Sequence, residues 1–143
     1  MTLGDIRYIK FRQFMMLADL ESKIKYIFKD RSLLIEALTH RSACNEKRGF
    51  IKNNERLEFL GDAVVELVIT DLLLERFPER NEGKLSKIRA SLVNTDSLAD
   101  LARKIALPGF IILGKGEDAS GGRDRDSILA DSYDCLLYTS RCV

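Results

Sequence analysis

Several residue types are scarce in this sequence, and each scarcity excludes something. Proline occurs only at Pro78 and Pro108. Both stand between periodic segments, so long helices are free to form. Histidine occurs once, as His40, which argues against a histidine-based metal centre and against a Ser-His nucleophilic triad. The three cysteines are an odd number, Cys44 stands far from Cys135 and Cys142, and no Cys-x-x-Cys pair exists. Neither a disulfide framework nor a zinc site is expected. Charge of one sign is also lacking: 23 basic residues face 22 acidic ones, for a net +1. Bulk charge therefore gives no hint of a nucleic-acid partner, and phosphate contacts would have to be local or come from another domain. No apolar run is long enough to span a bilayer. The stretch Phe14 to Leu17 is short and soon meets charges, and Met1 to Lys10 lacks the apolar core of a secretory signal. The expectation is a cytoplasmic protein with no membrane partner.

What is present is enough for one domain with a single core, since 45% of the 143 residues are hydrophobic. No pair of alternating apolar runs is joined by a hairpin signal, so the fold class reads as all-α. After a lead-in of about sixteen residues, a short helix is expected from Leu17 to Tyr26. Asp30 can cap a second through Leu38, with Leu33, Leu34, Ala37 and Leu38 inward. Ser42 to Lys52 is polar and reads as a loop. The longest helix is expected from about Asn53 to Phe77, stopping before Pro78. Another runs from Glu82 to about Val93, and Thr95 can cap its continuation through Ile105. Pro108 to Gly122 reads as a loop. A last helix begins near Arg123 or Asp124 and turns Ile128, Leu129, Tyr133 and Leu136 inward.

On a helical wheel of the longest helix, Leu57, Leu60, Val64, Leu67 and Val68 share one face and predict the core stripe. Glu55, Glu58, Asp62 and Glu66 stack on the opposite face with no base among them. Like charges at this spacing cost roughly a few tenths of a kcal/mol per pair. A solvated acidic face is the ordinary explanation. A divalent cation such as Mg²⁺ is the alternative, because hard ions take carboxylate oxygens. Two details favour something beyond solvent. Phe59 lies off the core stripe, where a large aromatic is exposed unless a partner covers it. Gly61 sits mid-helix at a cost of roughly 1 kcal/mol against alanine, which suggests close approach by another chain element. Together they read as a subunit interface beside a metal site. Asp131 and Asp134, three apart on the last helix, share a face and could complete an oxygen-rich cluster, although that spacing alone is weak.

The run Asn54 to Val64, NERLEFLGDAV, closely resembles the signature of ribonuclease III, the nuclease family that also supplies the catalytic domains of Dicer and Drosha. Four further blocks resemble family segments in the same order. They are Ala37 to Ser42 (ALTHRS), Glu82 to Val93 (EGKLSKIRASLV), the glycine loop Leu113 to Glu117 with Ser120 to Arg123, and Ser127 to Asp131 (SILAD). The resemblance implies a helical endonuclease domain over 17–134, incomplete at its C-terminal end, with 1–16 as a variable lead-in. It implies that Glu58, Asp62, Asp131 and Asp134 are catalytic and hold Mg²⁺, with Mn²⁺ as the alternative ion and no small-molecule cofactor. It implies substrate engagement by Glu55 and Glu82, with Lys84, Lys87 and Arg89 as local phosphate contacts. Phe59 would enter a pocket on a second subunit, with Gly61 at the same homodimer interface. The implied reaction is metal-assisted hydrolysis of double-stranded RNA, leaving 5′-phosphate and 3′-hydroxyl ends, in rRNA and mRNA processing. His40 and Arg41 would be structural hydrogen-bonders.

Two features depart from the family. Asp134 stands where glutamate is usual, so the carboxylate retreats by one methylene. No double-stranded-RNA-binding domain is expected in this sequence, and the tail 135–143 does not resemble the family's small-residue continuation. That tail is expected to be a truncated frame or a scar. Two other readings compete: a non-catalytic, dimerising RNA-binding module on the same scaffold, and an unrelated helical Mg²⁺ enzyme acting on diphosphates. Glu58, Asp62 and Asp131 favour the nuclease over the first. The absence of DDxxD-type motifs from the signature helix argues against the second.

Overall fold

The computed structural model describes residues 15–46 and 52–141. The expected lead-in therefore lies mostly outside the described residues, as do the middle of the 42–52 segment and the last two residues. Residues 15–24 form α1. The others are α2 (Arg31–Leu38), α3 (Arg41–Glu46), α4 (Glu55–Arg76), α5 (Glu82–Leu92), α6 (Thr95–Lys104), α7 (Lys115–Ala119) and α8 (Asp126–Arg141). Among the described residues there is no β-strand. A single bridge joins Thr39 to Ile112, and the all-α expectation holds.

Local chemistry sets the helix starts. Asp30 caps α2 by accepting from the Ser32 N–H at 2.8 Å, as expected. Asn81 caps α5 through Lys84 N. The cap of α6 is Asn94, which accepts from Ser97 N at 2.9 Å. Thr95, expected in that role, is the first helical residue, because the asparagine one place earlier already reaches the free N–H.

Two expected loops carry helices. Arg41–Glu46 is helical as α3, and 107–124 holds 3-10 turns at Leu107–Gly109 and Gly122–Asp124 with α7 between them. The reason is tertiary. The Glu46 carboxylate accepts from Lys115 N at 2.8 Å and Gly116 N at 3.0 Å, and Ser42 Oγ accepts from Gly114 N at 2.9 Å. Two short polar helices, neither able to persist alone, thus cap and brace each other.

The core gathers on α8, which packs most extensively against α4 and α6. Leu20, Leu34, Leu38, Leu107 and Leu129 are fully buried there. Ala99 and Ala102 let α6 lie close to it. The helix continues into the atypical tail as far as Arg141, and Cys135, Leu136, Thr139 and Ser140 are buried. No helix among the described residues is long and apolar enough to cross a membrane.

The core face of α4 differs from the expected one. Gly61, Val65 and Leu73 are its buried residues, with Asn54 buried just ahead of them. The expected stripe is largely outside: Leu67 is 69% exposed, and Leu60 and Val68 are exposed too. The buried line is turned by about one residue position, ~100°. Apolar content alone favoured the leucine side. The glycine decides otherwise, because only at Gly61 can the α8 backbone come close enough to pack.

Candidate active site

That turn of α4 positions the acids. Residues 54, 58, 61 and 65 follow helical spacing, so Glu58 rides on the edge of the face that meets α8. Asp62 lies on its flank. Asp131 and Asp134 come from the facing stretch of α8. All four line one cavity of about 790 Å³, together with Glu55, His40, Arg41, Glu117 and Arg125. The approach is fixed at Gly61, where an added Cβ would lie 2.7 Å from the carbonyl oxygen of Asp134 and 2.8 Å from its carbonyl carbon. Gly61, expected at an interface with a second subunit, is therefore buried within the protomer. The close approach anticipated for it is made by α8.

Beside it, α4 enters through a buried polar joint. Asn54 N donates to Thr39 O at 2.9 Å, and Asn54 O accepts from Glu58 N at 2.8 Å and from Cys135 Sγ at 3.5 Å. This ties the start of α4 to both α2 and α8, and so holds Glu58 opposite Asp131.

Electrostatics mark the four carboxylates as one group. Burial pushes Asp134 up to about 7, with the charges of Asp62, Asp131 and Glu58 adding to it. Burial and Glu58 push Asp131 up to about 6. Glu58 is raised by burial, then by Glu55 and Asp62, with Arg41 opposing. Glu58, Asp131 and Asp134 resist ionisation because the cleft is partly desolvated and their neighbours carry the same sign. Asp134 Oδ1 is buried with no hydrogen-bond partner, a costly state for a carboxylate oxygen. A hard divalent cation suits this donor set: it would neutralise the repulsion and satisfy the orphaned oxygen. Among the described residues, no three side chains already converge into a finished metal cage, so binding an ion would require the carboxylates to draw in.

The remaining expected site residues divide. Glu55 lines the cavity, and Glu66, the fourth acid of the stacked face, does not. Phe59 stands at the rim and is 84% exposed, as its place off the core required. Glu82 lies in a separate groove between α4 and α5 and accepts from Ser86 Oγ at 2.8 Å. Lys84 and Lys87 are exposed on α5 and outside the carboxylate cavity. Arg89 is engaged in the fold, donating to Thr70 Oγ1 at 2.8 Å. Sequence reasoning had no place in the cleft for His40, Arg41, Glu117 or Arg125. The first three fall in blocks that resemble the family and could have been flagged by that. Arg125 falls between blocks, and nothing in the sequence singled it out.

An all-helical domain in which two helices present two acids each to one cleft defines a candidate phosphodiester-cleaving scaffold. Comparison with known proteins makes this specific. Residues 30–137 match the family model described as Ribonuclease-III-like. Ribonuclease 3 of Caldanaerobacter subterraneus is 56% identical over 122 residues, covering 85% of this chain and 54% of that protein. Ribonuclease 3 of Geobacter metallireducens is 51% identical over 121 residues, covering 83% and 49%. A solved nuclease domain of ribonuclease III from Campylobacter jejuni superposes with a TM-score of 0.78 at 44% identity, covering 85% of this chain and 81% of that one. The chain belongs to the ribonuclease III family. It spans about half the length of the curated relatives it matches.

Proposed function

We propose that this chain is the catalytic domain of an endoribonuclease that hydrolyses phosphodiester bonds in double-stranded RNA. The observation that carries the reading is the meeting of Glu58 and Asp62 with Asp131 and Asp134 in one partly desolvated cleft, at Gly61, in a chain of this family. A binding module has no use for four acids gathered in one partly buried cleft.

Glu58, Asp62, Asp131 and Asp134 would hold Mg²⁺ or Mn²⁺. Such an ion, when bound, activates a water and offsets charge growing on the departing 3′ oxygen. Glu58 and Asp62 are carried on a helix fixed by Asn54 and Gly61, so only their side chains, and not the backbone beneath them, would have to move to draw in around an ion. Glu55 sits at the mouth of the cleft, where it can order water or a ribose hydroxyl. The products would carry 5′-phosphate and 3′-hydroxyl ends.

The functional unit in this reading is a homodimer. The Campylobacter jejuni domain is described for flexibility in a region involved in dimer formation. Here Phe59 and the outer leucines of α4 are exposed on one protomer. A second apolar cavity of about 480 Å³ includes Val68, Leu92, Leu98, Leu101 and Leu137 and could receive an aromatic side chain. Two sites across a duplex would cut both strands, with recognition of A-form shape and 2′-hydroxyls. The proposed roles are those of rRNA and mRNA processing in the cytoplasm.

The test is incubation of the purified chain with long double-stranded RNA and Mg²⁺, beside Glu58→Ala. Cleavage by the parent alone supports the reading. Binding without cleavage by either protein would favour an RNA-binding module.

A further inference from the structure

The cleft poses an electrostatic problem for an RNA substrate. A phosphodiester arriving among Glu58, Asp62, Asp131 and Asp134 is repelled, and the chain's net charge of +1 provides no long-range attraction. Lys84 and Lys87, the basic residues expected to help, lie outside this cavity. Of the residues that line it, Arg41 and Arg125 are the cations.

Both arginines are exposed, and each is held by a glutamate of the same wall. Arg41 Nη1 lies 3.6 Å from Glu55 Oε1. Arg125 Nη1 donates to Glu117 Oε1 at 2.6 Å. The two pairs flank His40, whose ring feels the charges of Glu117, Arg41, Glu55 and Arg125 together. The second pair is a built feature of the fold. Glu117 stands on α7, which Glu46 and Ser42 pin to α3. Its side chain passes over Gly122, where an added Cβ would lie 2.7 Å from Glu117 Cγ and 2.8 Å from Oε1. Glycine at 122 therefore makes room for the carboxylate that aims Arg125. Each of these contacts uses one guanidinium nitrogen, leaving the rest of the planar fork for phosphate oxygens.

We propose that Arg41 and Arg125 form the phosphate-binding wall of the cleft, held ready by Glu55 and Glu117 and transferred to the backbone phosphates of an RNA strand as it enters. This rests on the ribonuclease reading above and names which of the chain's own residues engage its substrate. The glutamates are positioning residues: they keep two flexible cations extended along the wall until a phosphate competes for them.

The experiment is binding of a short blunt-ended RNA duplex to the full chain, with Ca²⁺ replacing Mg²⁺ to slow cleavage, across a salt series. Arg41→Gln and Arg125→Gln should each weaken binding about tenfold. Each should lower the slope of log affinity against log salt by about one, while Arg→Lys at either position keeps the slope. Glu117→Gln keeps a hydrogen-bond acceptor beside Arg125 but removes the competing charge, so binding at low salt should tighten. Unchanged slopes in folded Arg→Gln proteins would overturn the proposal, as would weaker binding by Glu117→Gln, which would make the pair a brace and nothing more. Failure of the parent protein to bind duplex RNA would overturn both this proposal and the ribonuclease reading. Normal parent binding with unchanged slopes would overturn this one alone.

Discussion

Gly61 on α4 and Asp134 on α8 meet so closely that a methyl group on the glycine would lie 2.7 Å from the carbonyl oxygen of the aspartate. The relationship couples fold and site. The same contact buries α4 against α8 and brings Glu58 and Asp62 to Asp131 and Asp134.

Gly61→Ala should therefore destabilise the domain even though alanine is the better helix former by roughly 1 kcal/mol. The clash is with backbone, which cannot swing aside, so overpacking of about 1–3 kcal/mol is expected. Thermal unfolding should show a lower midpoint. Divalent-ion affinity should fall with it, because the two pairs of acids move apart. A variant as stable as the parent would mean that α8 can shift freely.

Metal-free stability should depend on pH in a particular direction. Asp131 and Asp134 are raised from 3.8 to about 6 and about 7. The folded state thus holds their protons more tightly than the unfolded chain, and stability falls as protons leave. The stability they contribute is fully present below about pH 4 and is lost as pH rises through the 6 to 7 region. Melting in EDTA at pH 5 and pH 8 should give the lower midpoint at pH 8 from these groups, and Asp134→Asn should shrink the difference. Mg²⁺ should raise the pH 8 midpoint, and its binding near pH 6 should release protons. A midpoint that rises steadily between pH 5 and pH 8 in EDTA would contradict the placement of these acids.

Asp134→Glu tests the shortened acid. Asp134 Oδ1 is buried without a partner beneath the cleft, so one more methylene should carry the carboxylate toward the other three. Titration calorimetry should show tighter Mg²⁺ binding than in the parent, and cleavage should be faster. Equal or weaker binding would show that this chain's geometry already suits aspartate.

Glu46→Ala should loosen α7 without dismantling the core. The Lys115 and Gly116 N–H groups lose their acceptor, a cost of about 1 kcal/mol for a helix cap. Hydrogen exchange should accelerate at residues 114–118, while the amides of α8 stay protected. Exchange that rises equally throughout would place Glu46 in the global core instead.

Phe59→Ala addresses assembly. The side chain is 84% exposed in the single chain, so its removal should leave the protomer's own stability nearly unchanged. In the proposed dimer, a buried aromatic anchor is worth about 2 kcal/mol or more. Sedimentation should show the dimer dissociating at a protein concentration at least about tenfold higher. An unchanged association constant would remove Phe59 from the interface.

Much of this protein can be read from its residues alone. The 3.6-residue periodicity and the scarcity of proline set an all-helical chain, and Asp30 marked the start of α2 because a cap acts over two or three residues. The signature acids were legible as a stacked set with no base among them. Phe59 was legible as a side chain outside its own core, because exposure follows from its place on the wheel. These are local properties, and local sequence suffices for them. The tertiary structure decided which face of α4 is inside, because that depends on how closely α8 can approach. Gly61 settles the question against a richer row of leucines. It also decided that Ser42 to Glu46 and Lys115 to Ala119 are helices, since each borrows its hydrogen-bond partners from the other across some seventy residues. Only the fold could place Glu82 and Lys84 outside the cleft and Arg41 and Arg125 on its wall. Burial and charge at a site are sums over every element packed around it, and no single stretch of sequence contains that sum.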